Sequence, residues 1–261
     1  MTPSLDDDLR LALDLADAAD AITMGAFRSA DLRVETKPDL TPVTEADRGV
    51  ERELRARIEA ARPGDAVVGE EFGSSGESPR RWYLDPIDGT KNFVRGVPVF
   101  ATLIGLRRDG EMVVGVCSAP ALRMRWWASR GGGAFADDGR RIHVSAVARL
   151  GDAQLSYDSV TGFEEEGLGE VFLELTRRCW RTRGFGDFWS HVLVAEGAVD
   201  VAVEPVVSPW DLAPLQVIVE EAGGRFTDLS GVARIDGGSA VSSNGLLHDE
   251  VLAAMRVEAL Q

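Results

Sequence analysis

The sequence predicts a layered α/β protein. Helical and strand-like apolar patterns alternate through both halves of the chain, no repeat or low-complexity linker separates them, and 261 residues suffice for a substantial core. A hydrophobic share of 44% and a charged share of 27% are those of a folded globular chain. The helix–strand alternation resumes at about Ile142, which suggests an α+β part over 1–141 and an α/β part over 142–261.

The elements follow from local pattern. Leu9, Leu11, Leu13, Ala16, Ala19, Ile22 and Met24 lie in an alanine-rich stretch with aspartates at 14, 17 and 20, which reads as a helix ending near Ser29. A polar, proline-bearing segment over 35–44 leads to a second helix, marked by Val50, Leu54 and Ile58 at four-residue spacing. Thr44 is placed to cap it, with Asp47 three residues on in capping-box position. Residues 66–69 and 82–85 read as short buried strands, and 74–79 as a polar loop between them. Residues 99–106 and 112–117 flank Arg107-Arg108-Asp109-Gly110, a hairpin signal because Asp-Gly suits the turn backbone. Trp126-Trp127-Ala128 and Ala134-Phe135 around a triple glycine suggest a further strand pair. In the second half, 153–157 and 199–203 read as strands, and 169–179, 189–196 and 212–222 as helices, the last ended by Gly223-Gly224. Residues 240–243 and a final helix over 247–255 close the pattern.

Charge and cysteine usage narrow the partners. With 43 acidic against 28 basic residues the formal net charge is -15, which repels nucleic acid and anionic membrane surfaces. The tryptophans therefore read as core packing rather than base stacking. An anionic substrate would need local help from a metal ion or a helix terminus. Cys117 and Cys179 lie in or beside apolar stretches and read as two buried free thiols, which suits a reducing compartment. Neither a leader pattern nor an apolar run of membrane-spanning length is present, so cytoplasmic localisation is the expectation.

The chemistry concentrates in Asp85-Pro86-Ile87-Asp88-Gly89-Thr90. An Asp-x-x-Asp turn can aim two carboxylates at one centre, which suits hard divalent cations, while the amides of Gly89 and Thr90 can cradle a phosphate. The same spacing also serves a plain Asx turn. Glu70 and Glu71 follow an apolar strand, where they read either as loop ligands or as a solvated strand exit. Asp211 opens a helix after Pro209-Trp210 and reads equally as an N-cap. Asp47 fits the first turn of its helix. The three histidines lack metal-ligand spacing, and His191 reads as a packed or hydrogen-bonded helix residue. No serine-centred nucleophile elbow or phosphate-binding loop motif is present.

Val68-Gly69-Glu70-Glu71, the run from Trp82 through Asp85-Pro86-Ile87-Asp88-Gly89-Thr90 to Phe93, and Trp210-Asp211-Leu212-Ala213 with Glu221-Ala222-Gly223-Gly224 resemble the paired signatures of the inositol monophosphatase family, over nearly the whole chain. The resemblance implies an αβαβα sandwich and a magnesium-dependent phosphatase, lithium-sensitive and commonly a homodimer. It implies metal ligation by Glu70, Asp85, Asp88, Asp211 and the Ile87 carbonyl, and phosphate binding by the amides of Gly89 and Thr90. Glu70 and Thr90 would position the attacking water, with Asp47 holding Thr90. Lys37 would lie near the metals. On this reading the first part supplies most metal ligands and the second completes the site.

The substrate expected is a small phosphate monoester. Residues 37–44, 92–98 and 184–190 resemble the actinobacterial histidinol-phosphatase branch of the family, which implies L-histidinol phosphate. Asp187 and Glu204, with the aromatics Phe188 and Trp189, suit a cationic amino alcohol bearing an imidazole, and Asp211 is counted with them as substrate-binding. Asp187 also reads as a helix cap with Trp189 packed inward. An inositol-1-phosphate or broader phosphatase, and a non-catalytic metal-binding scaffold, are the alternatives.

Overall fold

The computed structural model describes residues 3–36, 42–137 and 139–256. Lys37 lies outside them. Helix α1 (Leu5–Ala26) opens on a capping box between Ser4 and Asp7, and α2 (Glu45–Ala61) opens on the expected one between Thr44 and Asp47. Between them β1 (Val34–Thr36) and β2 (Pro42–Thr44) form an antiparallel pair. Then come β3 (Ala66–Gly69), β4 (Gly73–Ser75), β5 (Arg80–Asp88), the five-residue α3 (Thr90–Val94), β6 (Ala101–Arg108) and β7 (Glu111–Ala119). β8 (Met124–Ser129), β9 (Gly133–Ala136) and β10 (Arg140–Arg141) complete an eight-stranded sheet of order β10-β9-β8-β7-β6-β5-β3-β4. Asp109 and Gly110, at φ of 53° and 91°, join β6 to β7 by the two-residue turn that Asp-Gly favours.

A second sheet of order β12-β11-β13-β15-β14 follows. Its elements are β11 (Gln154–Tyr157), α4 (Val160–Glu165), α5 (Gly169–Arg178), β12 (Arg181–Arg183), α6 (Asp187–Ala195), β13 (Val201–Glu204), α7 (Pro209–Glu221), β14 (Arg225–Thr227), β15 (Ala240–Ser243) and α8 (His248–Ala254). β11 runs parallel to both β12 and β13, whereas β15 is antiparallel to its neighbours.

Strand alternation builds the layers. On β5, Trp82 and Leu84 face α1 and α2, packing with Leu15, Leu54 and Ile58; Tyr83 faces the other way, against α6 and α7. On the second sheet, Leu155, Val201, Val203 and Val241 pack with Phe172 and Leu175 of α5 and Val251 of α8. Ala202 turns to the opposite face, with Val194 of α6. The order is therefore helices, large sheet, α6 and α7, small sheet, helices: the αβαβα sandwich.

Paired glycines let α7 approach closely. Gly105 on β6 and Gly115 on β7 lie opposite each other. A Cβ at Gly105 would stand 2.7 Å from the Ala213 Cβ, and one at Gly115 2.4 Å from the Pro214 carbonyl oxygen. The first turns of α7 thus rest directly on the large sheet, and Asp211 is brought to it.

Local pattern missed the shortest elements. β1, β4, β12 and β14 are three-residue strands with too few residues to show alternation, and α4 is hardly longer. α1 ends at Ala26 rather than near Ser29 because Phe27 turns extended and Arg28 adopts φ 60°. Cys117 is buried but Cys179 only half-buried, just past the end of α5. Trp82 and Trp126 are core residues, whereas Trp180 is 68% exposed. Among the described residues no helix is long and apolar enough to cross a membrane.

Candidate active site

Residues three apart on a regular strand point to opposite faces. On β5 the pairing with β6 runs from Asp85 opposite Leu103 to Asp88 opposite Ala101, so β5 carries one extra residue in a bulge between the two aspartates. The bulge turns Asp85 and Asp88 to the same side. The Pro86 carbonyl there accepts from the Thr102 hydroxyl at 2.8 Å, and Asp85 Oδ1 accepts from the Ile87 amide at 3.0 Å. The Asx turn and the convergence of carboxylates therefore coexist, the first shaping the second.

Asp211 arrives from α7. With Pro209 in the first helical position, Asp211 Oδ2 accepts from the Ser208 amide at 2.8 Å in a capping box. The cap holds the side chain where its carboxylate meets the other two. Oxygens of Asp85, Asp88 and Asp211 lie within 4.8 Å of one another. Glu70, just beyond β3, hydrogen-bonds to Asp85, and its amide donates to the Leu84 carbonyl at 3.2 Å. Buried Glu51 of α2 pins this corner by accepting from the amides of Glu71 (2.7 Å) and Phe72 (3.2 Å).

Among the described residues no basic side chain ion-pairs with Asp85, Asp88 or Asp211. Burial first, then the charges of Glu70, Asp88 and Asp211, drives the Asp85 carboxyl far above the usual carboxylate range. Asp88 is driven the same way by burial, then by Asp187 and Asp211. Asp211 is raised to about 7, again chiefly by burial, with Glu70 and Glu204 adding to it. An oxygen-only set of mutually repelling carboxylates is the donor chemistry a hard divalent cation satisfies, so these residues fit a metal site.

Beside it, Gly89 adopts φ 80° and hands the chain to α3, whose first amides have no carbonyl partner within so short a helix. The Thr90 hydroxyl donates to the Ile87 carbonyl at 2.9 Å, the same carbonyl read as a metal ligand. Asp47 Oδ2 accepts from the Thr44 amide (2.8 Å) and hydroxyl (2.5 Å), while its buried Oδ1 has no hydrogen-bond partner among the described residues. Asp47 is thus engaged by its own helix cap, and the Thr90 hydroxyl is engaged by the Ile87 carbonyl. Burial raises its carboxyl above the ordinary range.

Asp187 and Glu204 share a cavity of about 70 Å³ with Asp88, Asp211, Asp158 and Phe188. Gly186 rather than Asp187 stands at the N-cap of α6, and Asp187, the first helical residue, holds φ 48°, a strained conformation for a residue with a side chain. Burial, then Asp158 and Glu204, raises its carboxyl to about 7. Phe188 is buried against Trp126, and Trp189 packs beside Phe185, away from the cavity lining. Sequence reading missed two residues here: Asp158, a lone acid after a strand, and Glu51, which acts from a helix. His191 is the packed, hydrogen-bonded helix residue expected, and across the fold it reaches Glu204 Oε2 (3.2 Å) and Ser242 Oγ (2.6 Å).

A five-layer sandwich with an oxygen-only carboxylate cluster beside a left-handed glycine turn into a short helix is the arrangement of a metal-dependent class of phosphatase. The model of the inositol monophosphatase family matches residues 4–260, and the chain belongs to that family. It is 61% identical to the histidinol-phosphatase of Mycobacterium tuberculosis, over 94% of this chain and 96% of the relative. It is 55% identical to the histidinol-phosphatase of Streptomyces coelicolor, over 96% and 97%. Among solved structures, an inositol monophosphatase from Zymomonas mobilis superposes with a TM-score of 0.87 at 35% identity, covering 98% of this chain and all of that one (100%). The Thermotoga maritima IMPase gives 0.86 at 35% identity, over 95% and 96%.

Proposed function

We propose that this chain is a magnesium-dependent histidinol-phosphatase that hydrolyses L-histidinol phosphate to L-histidinol and phosphate. The observation that carries the substrate reading is the single cavity in which Asp88 and Asp211 of the carboxylate cluster adjoin Asp187 and Glu204. A neutral polyol can donate hydroxyls to Glu204 but brings no positive charge to offset a second buried carboxylate at Asp187. L-histidinol presents an ammonium and an imidazole, both served by carboxylates.

Glu70, Asp85, Asp88, Asp211 and the Ile87 carbonyl would hold the metal, and the all-oxygen set favours magnesium. When bound, the cation supplies the positive charge that neutralises phosphate and makes water a better nucleophile at neutral pH. The chain does the rest. The amides of Gly89 and Thr90 bind the phosphate oxygens. Glu70 and the Thr90 hydroxyl, backed by Asp47, orient a water, which adds to phosphorus as the bond to the histidinol oxygen breaks. Asp187 and Glu204 hold the departing alcohol by its cationic end.

The division near residue 141, a homodimeric state and a cytoplasmic setting belong to the same reading. The family likeness and the two free thiols support them. Phosphate release with magnesium, compared for L-histidinol phosphate and myo-inositol 1-phosphate as a ratio of kcat/KM, tests the substrate. A large preference for the former is expected; equal use or the reverse rejects it.

A further inference from the structure

We infer that Asp158 is a third carboxylate of the subsite that receives the cationic end of the substrate, and so a specificity-determining residue; this rests on the histidinol phosphate reading. Asp158 follows β11, which pairs in parallel with β13 at Tyr157 opposite Val203. The next residues along, Asp158 and Glu204, therefore leave the sheet side by side at the carboxyl ends of parallel strands, where α/β sheets present ligand contacts.

The remaining carboxylate, Asp187, comes from the start of α6. Gly186, at φ 71°, precedes Asp187, and a Cβ on it would stand 3.0 Å from Asp158 Oδ1. The bare glycine thus lets the Asp158 and Asp187 turns pack against each other, and both side chains line the cavity with Glu204.

Glu204 shows that the subsite awaits a donor. It is 4% exposed, and its Oε1 has no hydrogen-bond partner among the described residues. A buried carboxylate oxygen left without a donor is costly unless a ligand supplies one. Asp158 lies at the exposed mouth; no described residue hydrogen-bonds to its side chain, and the Lys91 charge acts on it from nearby. Protonated histidinol offers three N–H donors on its ammonium and two on its imidazolium, and a third carboxylate in the same cavity adds acceptors for these two cationic groups.

The test uses the magnesium-loaded enzyme with Asp158→Asn and Asp158→Ser, each checked for an unchanged thermal midpoint. For L-histidinol phosphate KM should rise about tenfold with kcat within about twofold, since charge-assisted hydrogen bonds to the leaving group are lost. L-histidinol as a product inhibitor should weaken by the same factor, and kcat/KM for myo-inositol 1-phosphate should stay within about twofold. An unchanged KM, an equal loss on both esters, or a shift only in the magnesium requirement overturns the inference while a wild-type preference for histidinol phosphate stands. A wild-type enzyme that treats both esters alike overturns the substrate reading, and this inference with it.

Discussion

The backbone amide of Phe188 donates to Asp88 Oδ2 at 2.7 Å, across 100 residues of chain. The turn that delivers Asp187 to the shared cavity therefore also fixes a carboxylate of the acidic cluster. On the proposed reading, recognition of the leaving group and placement of the cation would be joined by this one hydrogen bond.

Replacing Asp88 with Asn should lower kcat/KM on the order of 10²-fold or more, because it removes charge from the cluster where phosphate and cation meet. The amide oxygen still accepts from Phe188, so the thermal midpoint should fall little. Steady-state kinetics beside a melting curve checks this; full magnesium-dependent turnover in the variant would remove Asp88 from the metal site.

Gly115→Ala should act at a distance. Its Cβ would meet the Pro214 carbonyl oxygen at 2.4 Å and the Pro214 Cα at 2.8 Å, both backbone atoms of α7 that cannot rotate away. The helix must lift from the sheet and carry Asp211 with it. We expect a loss of about 1–3 kcal/mol in denaturant unfolding, as for other overpacked cores. Activity should drop in the fraction that remains folded, and normal kcat would show that Asp211 tolerates the displacement.

On the proposed reading, His191 would position Glu204. It is fully buried between Ser242 and the Glu204 carboxylate. His191→Leu removes both polar contacts and should raise KM for the cationic ester several-fold more than it lowers kcat, at a stability cost of about 1–3 kcal/mol for the stranded partners. His191→Gln, which keeps a donor, should recover part of the KM. Parallel losses in KM and kcat that glutamine does not rescue would mark the residue as packing alone.

Stability of the metal-free protein should fall as pH rises. Asp187 and Asp211 move from an ordinary value of 3.8 to about 7 on folding, so the folded state binds their protons more tightly than the unfolded state. That contribution is complete below about pH 4 and is lost as pH climbs through about 7. Scanning calorimetry without metal should show the decline over that window, and added magnesium should raise the midpoint more at pH 8 than at pH 5. An equal rise at both pH values would argue against a cation held by these carboxylates.

The site and the fold were legible to different depths. The acids of 85–90, the capping box at Thr44 and the Asp-Gly hairpin are short-range facts, because a turn or a cap is settled by residues within a few positions of one another. The amphipathic spacing of α1 and α2, with Ala12, Leu15, Ala16, Ala19, Val50, Leu54 and Ile58 all buried, belongs with them. The three-residue strands had no such signal, since their pairing energy comes from partners distant in sequence. By itself the sequence determined which residues could hold a cation and a phosphate. Only the tertiary structure decided that a bulge turns Asp85 and Asp88 to one face, that facing glycines let α7 bring Asp211 to them, and that Asp158 stands beside Glu204. Those relations depend on strand register and on how closely backbones approach, which emerge only when the layers pack.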